Sequence, residues 1–435
     1  MSAGIDERAA DLIDDGATIT RKIFTEKNMK ILHTADWHLG KKLEHFSRLP
    51  EQREVMEEIV RIADEHDVDL VLIAGDLFDT FNPGTEAEDL FYRTLKRLSK
   101  NGHRPVIAIA GNHDSPDRIE VPNPLARENG IFFAGYPHSE IAPITLDTGV
   151  RITRSEPGFL ELQMPSQDYP IRLLLTPYAN EYRLRQYLGH EKREDHLREL
   201  LEQQWTELAG KYCDEKGVNL LMTHLFMINK GGEMPEEPEE EKPILHIGGA
   251  QAVFTSSVPD SIQYVALGHL HRYIRMEENH FSAVYPGSPL AYSFKDADLT
   301  KHVVITELEP GKEAGITKVA LTKGLTLKRV RFPNVDEAIV WLRENPDTLV
   351  ELSVELDAYL SANDRKRINE THGGIINIIP LTRLDMATHQ EENRPDPSKD
   401  LEELFLAYFK DRHGQEPNEE LISLFREIRA KHRTS

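Results

Sequence analysis

Cysteine and long apolar runs are almost missing from this sequence. Its 435 residues include one cysteine, Cys213, so no disulfide can form within the chain. No run approaches the roughly 18 consecutive apolar residues that a membrane-spanning helix needs. These absences exclude a disulfide-stabilised secreted scaffold and a membrane-spanning protein, and they favour a reducing cytoplasm as the location.

Basic residues are also scarce relative to acidic ones. Lysine and arginine total 52, whereas aspartate and glutamate total 74, which gives a net charge of −22. A protein that holds nucleic acid by its overall charge would be basic, so that class is excluded. If DNA is the substrate, the contacts with it must be local, assisted by metal ions or shared with a partner.

One unit repeats between residue 29 and about residue 270: a short apolar run, a polar cluster and an amphipathic helix. This repetition predicts an α/β fold in which most strands are parallel and buried on both faces. Apolar side chains three and four residues apart place the first helix around Val55 and Ile59 and the second around Leu90 and Leu95. The predicted strands are 31–34, 70–74, 106–110, 171–176, 220–223 and 264–267.

The chain divides into four regions by composition and pattern. Residues 1–28 lack the features of a signal peptide and are expected to be a poorly ordered extension. Residues 29–324 form the main domain, in which the apolar runs between 301 and 332 add strands at the edge of the core. Residues 325–385 have a β-α-β-α-β order typical of a small α+β domain. Residues 386–435 combine a Pro-rich linker with two amphipathic helices, which we expect to dock on a partner rather than on their own core.

Polar residues of the kinds that bind metal ions follow five of the predicted strands. A lone Asp-x-His is usually a turn or a helix cap, but five such clusters at five strand ends are a strong signal. Because ligands bind outside the carboxyl ends of the strands in open α/β sheets, we expect these clusters to converge on one crevice. The clusters are Asp36 and His38; Asp76 and Asp79; Asn112, His113 and Asp114; His224; and His269 and His271.

These residue types predict a site for two metal ions. Aspartate, asparagine and histidine without thiolate suit divalent ions such as Mn²⁺, Fe²⁺ or Zn²⁺. Seven ligands exceed the capacity of one tetrahedral site but match two ions that share a carboxylate. Two ions about 3.5–4 Å apart can clamp a phosphoryl oxygen and activate a water, which predicts phosphoester hydrolysis. The candidate ligands are Asp36, His38, Asp76, Asn112, His224, His269 and His271.

Two further residues of the third cluster are candidates for catalysis. The leaving oxygen needs a proton, and His113, directly after the ligand Asn112, is placed to donate it or to steady the phosphate. Asp114 is expected to fix the tautomer of that imidazole. The alternative is that His113 is a histidine with structural contacts alone.

The same clusters resemble the five motifs of the calcineurin-like metallophosphoesterases, in order, over residues 29 to about 272. Five longer strings resemble the SbcD family, the nuclease subunits of bacterial SbcCD complexes. The resemblance implies an α/β fold with a metallophosphoesterase β-sandwich core flanked by helices, then a small α+β capping domain and C-terminal helices that bind the SbcC ATPase. The strings are TADWHLG (34–40), AGDLFDT (74–80), GNHDSPDR (111–118), ALGHLHR (266–272) and YPGSPLAYSF (285–294).

The resemblance also implies a ligand set, an activity and an assembly. One metal ion, most simply Mn²⁺, would be held by Asp36, His38, Asp76 and His271, and the second by Asp76, Asn112, His224 and His269. The implied activity is exonuclease and endonuclease cleavage of DNA in end and hairpin processing, recombination, replication and repair. The implied assembly is a homodimer, formed through the helices after the second and third motifs, within a heterotetramer that contains an SbcC-like ATPase.

The chain departs from the family pattern at a few places. Asp79 is the bacterial form of a position at which archaeal and eukaryotic relatives have a histidine. The extension 1–28 and the acidic segment 233–241, which we expect to be a solvated loop, have no counterpart.

Two other functions are open at the level of the sequence. A phosphomonoesterase or protein phosphatase of the same superfamily would carry arginines that grip a terminal phosphate. Here those places hold Ala110 and Thr80–Phe81, which favours a phosphodiester. A non-catalytic scaffold that has lost its metals is the other alternative, but all seven ligands are present.

Five basic residues near the motifs are candidate DNA contacts. Their alternative role is an ordinary solvated surface, because scattered charges are normal on proteins. The five are Lys41, Lys42, Arg48, Arg272 and Arg275.

Overall fold

The computed structural model describes residues 28–186, 193–232, 252–278, 280–297, 299–356 and 360–382, with 405–406, 417 and 421–422. The predicted N-terminal extension, apart from residue 28, and the acidic loop 233–241 lie outside the described residues. So do the two predicted C-terminal helices, apart from the few positions named above. The described residues form two compact units, one up to Lys328 together with Asp347–Leu349, and one of Arg329–Pro346 with the described residues from Val350 onward.

The described residues contain helices and strands that alternate along much of the chain. The helices are α1 Leu49–Glu65, α2 Thr85–Leu98, α3 Pro116–Glu120, α4 Asn123–Ala126, α5 Glu181–Leu184, α6 Arg193–Tyr212, α7 Val335–Glu344 and α8 Ala362–Thr371. The strands are β1 Met29–Thr34, β2 Lys42–Leu43, β3 Phe46–Ser47, β4 Leu70–Ala74, β5 Val106–Ile109, β6 Ile131–Ala134, β7 Ile144–Thr145, β8 Arg151–Glu156, β9 Phe159–Gln163, β10 Ile171–Thr176, β11 Val218–His224, β12 Met227–Ile228, β13 Val253–Phe254, β14 Tyr264–Gly268, β15 Ile274–Glu277, β16 Ser282–Tyr285, β17 His302–Leu308, β18 Gly315–Ala320, β19 Thr326–Phe332, β20 Thr348–Leu356 and β21 Ile375–Thr382.

Two large sheets form the larger unit. The first has the order β18-β17-β1-β4-β5-β6, and the second has the order β15-β16-β14-β11-β10-β9-β8-β7. The strands β1, β4, β5 and β6 are mutually parallel, as are β10, β11, β14 and β16. The flanking strands β17, β18, β15 and β7 to β9 pair antiparallel. The predicted parallel centre is therefore confirmed, with antiparallel edges added on both sheets.

The alternation of side chains along each central strand builds the layers. In β4, Leu70 and Leu72 face a core shared with the second sheet, whereas Val71 and Ile73 face a separate core that contains residues of α1 and α2. On the outer side of the second sheet, Trp205 of α6 packs in a third core. Because both faces of each central strand are covered, these strands are mostly apolar and lack a regular alternation of apolar and polar residues. The result is a β-sandwich flanked by helices, as expected.

The smaller unit is a three-stranded sheet in the order β19-β20-β21, with α7 and α8 packed on it. Its β-α-β-α-β order matches the expectation for this part of the sequence. The prediction that all apolar runs between 301 and 332 lie at the edge of the main core is wrong for the last of them. The run around 327–332 forms β19 of this smaller sheet. In the part of the chain that the structure describes, no helix has the length and apolar character needed to cross a membrane.

Candidate metal centre

The loops after five central strands meet at one end of the sandwich. Three of them follow β1, β4 and β5 in the first sheet, and two follow β11 and β14 in the second. Backbone hydrogen bonds join the first two loops, since the amide of Asp36 donates to the carbonyl of Gly75 at 3.0 Å and that of His38 to Asp76 at 2.9 Å. The predicted convergence of the motifs is thus visible in the backbone itself.

Glycine is required where the loops press against each other. A Cβ at Gly111 would lie 2.1 Å from Oδ1 of Asp76, and a Cβ at Gly268 would lie 1.7 Å from the carbonyl oxygen of Ala74. No real side chain tolerates such distances. Gly111 therefore lets two loops of the first sheet pack together, and Gly268 lets the end of the second sheet approach the end of the first.

Four of the candidate ligands have left-handed backbone conformations. The φ angles are 55° at Asp36, 44° at His38, 49° at Asp76 and 109° at His269. Residues other than glycine rarely adopt such angles, and the cost is of order 1–3 kcal/mol each. Strain of this kind is concentrated at functional sites, where the surrounding structure holds it in place.

Asp36, His38 and His271 form one group of candidate ligands. One ligand atom from each lies within 4.8 Å of the others. The Nε2 atoms of His38 and His271 are 3.0 Å apart, and all three residues are buried. The Nε2 of His38 is also 3.7 Å from Oδ2 of Asp76. This carboxylate therefore borders the first group.

The second group is centred on Asp76 and His224. Nε2 of His224 lies 3.2 Å from Oδ2 of Asp76 and 3.0 Å from Oδ1 of Asn112. The same Oδ1 is 3.1 Å from Nδ1 of His269. Nδ1 of His224 donates to the carbonyl of Ala74 at 2.7 Å, which directs Nε2 toward the site. All seven predicted ligands are thus brought together.

The electrostatics of the site fit a bound cation. Burial raises the pKa of Asp36 to about 7, against the opposing effect of His224 and His271. Its Oδ2 is buried and has no hydrogen-bond partner among the described residues. Burial lowers the pKa of His224, but the charge of Asp76 beside it prevails and raises the value to about 9. A dense set of oxygen and nitrogen donors around an unsatisfied buried carboxylate oxygen is what a divalent ion requires.

His113 lies at the edge of this centre. Its Nδ1 donates to the backbone carbonyl of Asp79 at 2.8 Å, and its backbone amide donates to Oδ1 of Asp76 at 2.9 Å. The ring is 4.9 Å from that of His38, centroid to centroid, and is half-buried. The donor on Nδ1 directs Nε2 away from Asp79. His113 can also join His38 and Asp76 as a group of ligands.

The carboxylate of Asp114 does not have the role predicted for it. It accepts hydrogen bonds from the backbone amides of Leu77, Phe78 and Gly111 at 2.8–3.0 Å. The carbonyl of Asp79, not Asp114, therefore fixes the tautomer of His113. Burial, and then the charge of Asp76, raise the pKa of Asp114 to about 6. Asp114 joins the second and third loops and is a structural residue of the site.

Comparison with known proteins agrees with this geometry. The calcineurin-like phosphoesterase family matches residues 29–273. The SbcD subunit of the SbcCD nuclease of Bacillus subtilis (strain 168) is 35% identical over 408 residues, which cover 92% of this chain and 97% of that protein. The chain belongs to the SbcD family of calcineurin-like phosphoesterases.

As a member of the SbcD family, this chain is a nuclease homologue. It is also a hydrolase that acts on phosphoester bonds. Two solved structures resemble it less closely. The protein TT1561 of Thermus thermophilus is 12% identical with a TM-score of 0.36, covering 68% of this chain and 100% of that one. A dimetal phosphatase from Danio rerio is 12% identical with a TM-score of 0.39, covering 68% and 98%.

The sequence analysis missed two buried basic residues that hold the motif loops of this SbcD homologue. The guanidinium of Arg183 donates to the carbonyls of Gly111 at 2.7 Å and Asp114 at 2.8 Å. Nζ of Lys301 donates to the carbonyl of His271 at 2.8 Å. Burial lowers the pKa of both side chains. Lys301 also pairs with the nearby Asp296 at 3.4 Å. Nothing in their sequence context distinguishes the two residues from surface charges, because the loop carbonyls that they hold are distant in the sequence.

Arg48 is a correction to the predicted DNA contacts. Its side chain is fully buried and makes a two-pronged ion pair with Glu51, at 2.6 and 2.9 Å. A third donor, Nη1, bonds to the carbonyl of Ala291 at 2.6 Å. Because the guanidinium is buried and neutralised, it offers no surface to a phosphate, and we withdraw it from the predicted contacts.

The other four basic residues differ in exposure. Lys41 is largely buried, and its Nζ lies 2.9 Å from Asp79. Lys42 is exposed. Arg272 is partly exposed and pairs with Asp296 at 3.5 Å, and Arg275 is exposed and pairs with Glu277 at 2.9 Å. Because it is buried and paired, Lys41 is withdrawn together with Arg48. Lys42, Arg272 and Arg275 remain predicted DNA contacts.

Proposed function

We propose that this SbcD-family protein hydrolyses phosphodiester bonds of DNA at a site for two divalent metal ions, with Mn²⁺ as the natural metal. The observation that carries the proposal is the meeting of seven oxygen and nitrogen ligands from both sheets around two buried carboxylates. The overlap of the ligand groups at Asp36, His38 and Asp76 supports two adjacent ions rather than one.

The proposed ligand sets share Asp76. Asp36, His38, Asp76 and His271 would hold the first ion, and Asp76, Asn112, His224 and His269 the second. The distances from Oδ2 of Asp76, 3.7 Å to His38 and 3.2 Å to His224, support its bridging role because they reach a histidine of each set. When bound, the ions would supply positive charge at the phosphoryl oxygens and would lower the pKa of water to about 7.

Protonation of the leaving oxygen requires a side chain of the protein. In our proposal, His113 gives a proton to the leaving oxygen from Nε2, because the carbonyl of Asp79 holds the other ring proton on Nδ1. The half-buried ring at the edge of the site suits a group that must reach the substrate. Asp114 and Arg183 keep the loop of Asn112 and His113 in place through backbone contacts.

A phosphodiester fits this site better than a terminal phosphate. Ala110 is buried, and Thr80 and Phe81 have no guanidinium to grip a phosphate dianion. The arginine that does lie against the third loop, Arg183, directs its donors to backbone carbonyls. Both observations favour the nuclease over the phosphomonoesterase, which was the alternative from the sequence.

We also propose an assembly with an SbcC-like ATPase. The relative from Bacillus subtilis is named as a subunit of the SbcCD nuclease. In this proposal, residues 325–385 act as a capping domain and residues 386–435 bind the ATPase, in the cytoplasm. The ATPase would also contribute to holding DNA, which an acidic chain with a charge of −22 cannot do by its net charge.

A homodimer through α2, α3 and α4 completes the proposed heterotetramer. These helices border an apolar cavity of about 690 Å³. The side chains of Val121 and Leu125 on this face are 76% and 79% exposed. Large apolar side chains with that exposure are typical of an interface. These helices follow the second and third motifs, which is where the family resemblance implies the dimer interface.

The purified chain with Mn²⁺ should be tested on labelled single-stranded, hairpin and duplex DNA, with p-nitrophenyl phosphate as a monoester control. We expect cleavage of DNA that disappears with a chelator and returns with Mn²⁺. Hydrolysis of the monoester in preference to all three DNA substrates would contradict the proposal in favour of a phosphatase.

A further inference from the structure

The side chain of Gln52 is buried in the first turn of α1, directly behind the loop that carries His38. Its Nε2 lies 2.7 Å from the carbonyl of His38 and 2.9 Å from the hydroxyl of Tyr292. Its Oε1 accepts from the backbone amide of Gly40 at 2.9 Å. A single amide group therefore bonds to the carbonyl of His38 and to the amide of Gly40, on either side of Leu39.

This contact matters because His38 has an unfavourable backbone. Its φ is 44°, and its carbonyl and the amide of Gly40 lie outside the helices and the strands of the sheets. The amide of Lys41 donates to the same carbonyl at 3.0 Å. Gln52 adds a second hydrogen bond to this carbonyl and accepts from the amide of Gly40, and both bonds stabilise this conformation. The direction in which the imidazole of His38 points depends on that conformation.

Tyr292 extends the same contact to the second histidine of the group. Its hydroxyl donates to the carbonyl of Trp37. Its buried ring meets the ring of His38 edge-on with centroids 5.6 Å apart, and that of His271 at 6.2 Å. The ring of Tyr292 thus packs against both imidazoles, and Gln52 fixes the position of its hydroxyl through a hydrogen bond.

Two further residues of the same turn hold the loop of Tyr292. Arg48 donates to the carbonyl of Ala291, next to Tyr292, at 2.6 Å, and its charge is balanced by Glu51. Glu51 in turn accepts from the amide of Leu325 at 2.6 Å. The start of α1 is therefore a fixed support, to which both the His38 loop and the Tyr292 loop are attached.

We propose that Gln52 and Tyr292 are positioning residues for one of the two metal ions, the ion held by His38 and His271. This inference rests on the proposed two-ion function and adds to it that the two ions have separate supports. The residues touch neither substrate nor metal ion. They act by holding the imidazoles of His38 and His271 at the angle at which both point to the same position.

The ligands of the other ion depend on different contacts. His224 is oriented by the carbonyl of Ala74. The loop of Asn112 is held by Arg183 through the carbonyls of Gly111 and Asp114. Loss of Gln52 should therefore lower the affinity for one ion and leave the affinity for the other unchanged. A general loss of stability would lower both affinities.

The test is Mn²⁺ binding by the full chain, measured by calorimetry, for wild type, Gln52→Met and Tyr292→Phe. Gln52→Met keeps the size of the side chain and removes its hydrogen bonds. We expect it to lower the affinity for one of the two ions about 10–100-fold, the usual range for a residue that orients a metal ligand. Tyr292→Phe keeps the ring and should weaken the same ion less. Gln203→Met, on the exposed face of α6, is the matched control and should change neither affinity.

Two ligand variants identify the affected ion. In a His269→Ala background the remaining ion is the one held by His38 and His271. Gln52→Met should lower the affinity for this ion by the same factor of about 10–100. In a His271→Ala background the remaining ion is the other one, and Gln52→Met should change its affinity less than about twofold.

The outcomes separate this inference from the proposed function. Equal weakening in both backgrounds, or no weakening in either, overturns the positioning role while two-ion binding by the wild type still stands. Wild-type protein that binds fewer than two ions contradicts the proposed function and this inference together. A melting temperature for each variant shows that the comparison concerns folded protein.

Discussion

At the scale of single residues, the site consists of strained ligands that their neighbours hold in place. Asp36, His38 and Asp76 each keep a left-handed backbone, and each accepts or donates hydrogen bonds that fix it. The energetic cost of this strain is of the same order as the contribution of a few buried hydrogen bonds. Their geometry is therefore sensitive to side chains that never touch the substrate.

Replacement of His113 tests its role in proton transfer. His113→Ala should slow DNA cleavage by about 10²–10⁴-fold, the range for a lost general acid, and should leave Mn²⁺ affinity unchanged. The exposed His280, which pairs with Asp260 at 3.2 Å, provides the control His280→Ala, for which both quantities should match wild type. A loss of bound metal in His113→Ala would make His113 a ligand, as its proximity to His38 and Asp76 allows.

His33, in the core between the sheets, predicts a pH dependence of stability. Burial lowers its pKa to about 3, and its ring bonds to the hydroxyl of Tyr264 at 2.8 Å and the carbonyl of Leu267 at 3.1 Å. Since the unfolded chain takes up a proton near pH 6.5 and the folded chain does not, the stabilisation is complete above pH 6.5. It is lost as the pH falls toward 3, by about 1.4 kcal/mol per pH unit.

Urea unfolding of wild type and His33→Gln in the presence of a chelator measures this contribution. Between pH 6 and pH 4, wild type should lose more free energy of unfolding than His33→Gln, because glutamine does not titrate. Parallel pH profiles for the two proteins would show that His33 is already accessible to protons in the folded state.

The kinds of residue in the site could be predicted from the sequence, but their supports could not. Asp, Asn and His at the ends of strands indicate a metal site directly, because these side chains are themselves the ligands. The carbonyl of Asp79 that holds His113 has no sequence signature, because every residue has a carbonyl. Arg48 was misread for a related reason: closeness to a motif in the sequence does not show that a side chain is buried.

At the scale of elements, the site depends on how closely two sheets approach at one end. The apolar run of β4 and the apolar centre of β11 predicted burial on both faces, and this was confirmed. The direction of the edge strands was not predictable, because an apolar run is the same whether its neighbour is parallel or antiparallel. The placement of β19 with β20 likewise depends on tertiary pairing rather than on its own pattern.

Gly268, where β14 ends, tests the close approach of the sheets. In Gly268→Ala the new methyl group would meet the carbonyl of Ala74 and the ring of His224. We expect a loss of about 1–3 kcal/mol in the free energy of unfolding, together with weaker Mn²⁺ binding. A methyl group on Gly210 in α6 would meet no atom within 4 Å, so Gly210→Ala should instead stabilise by up to about 1 kcal/mol. Equal effects for the two substitutions, measured by urea unfolding, would contradict the predicted steric conflict.

At the scale of the whole molecule, the exposed apolar face of α2, α3 and α4 predicts self-association. Leu125→Glu would place an unpaired charge in that interface and should weaken dimerisation roughly 30-fold or more, as measured by sedimentation equilibrium. Leu299→Glu, at another partly exposed leucine outside these helices, should leave the association unchanged. A monomeric wild type, or a dimer that both variants preserve, would place the interface elsewhere.

In the proposed mechanism one carboxylate, that of Asp76, joins two metal ions in a single hydrolytic site. The most direct measurement counts Mn²⁺ ions by calorimetry in wild type, Asp76→Asn and the exposed control Asp260→Asn, with DNA cleavage followed on the same samples. We predict two ions for wild type and control, and for Asp76→Asn a loss of at least about 100-fold in affinity for both ions, with cleavage reduced to background. Two tightly bound ions and normal cleavage in Asp76→Asn would contradict the account.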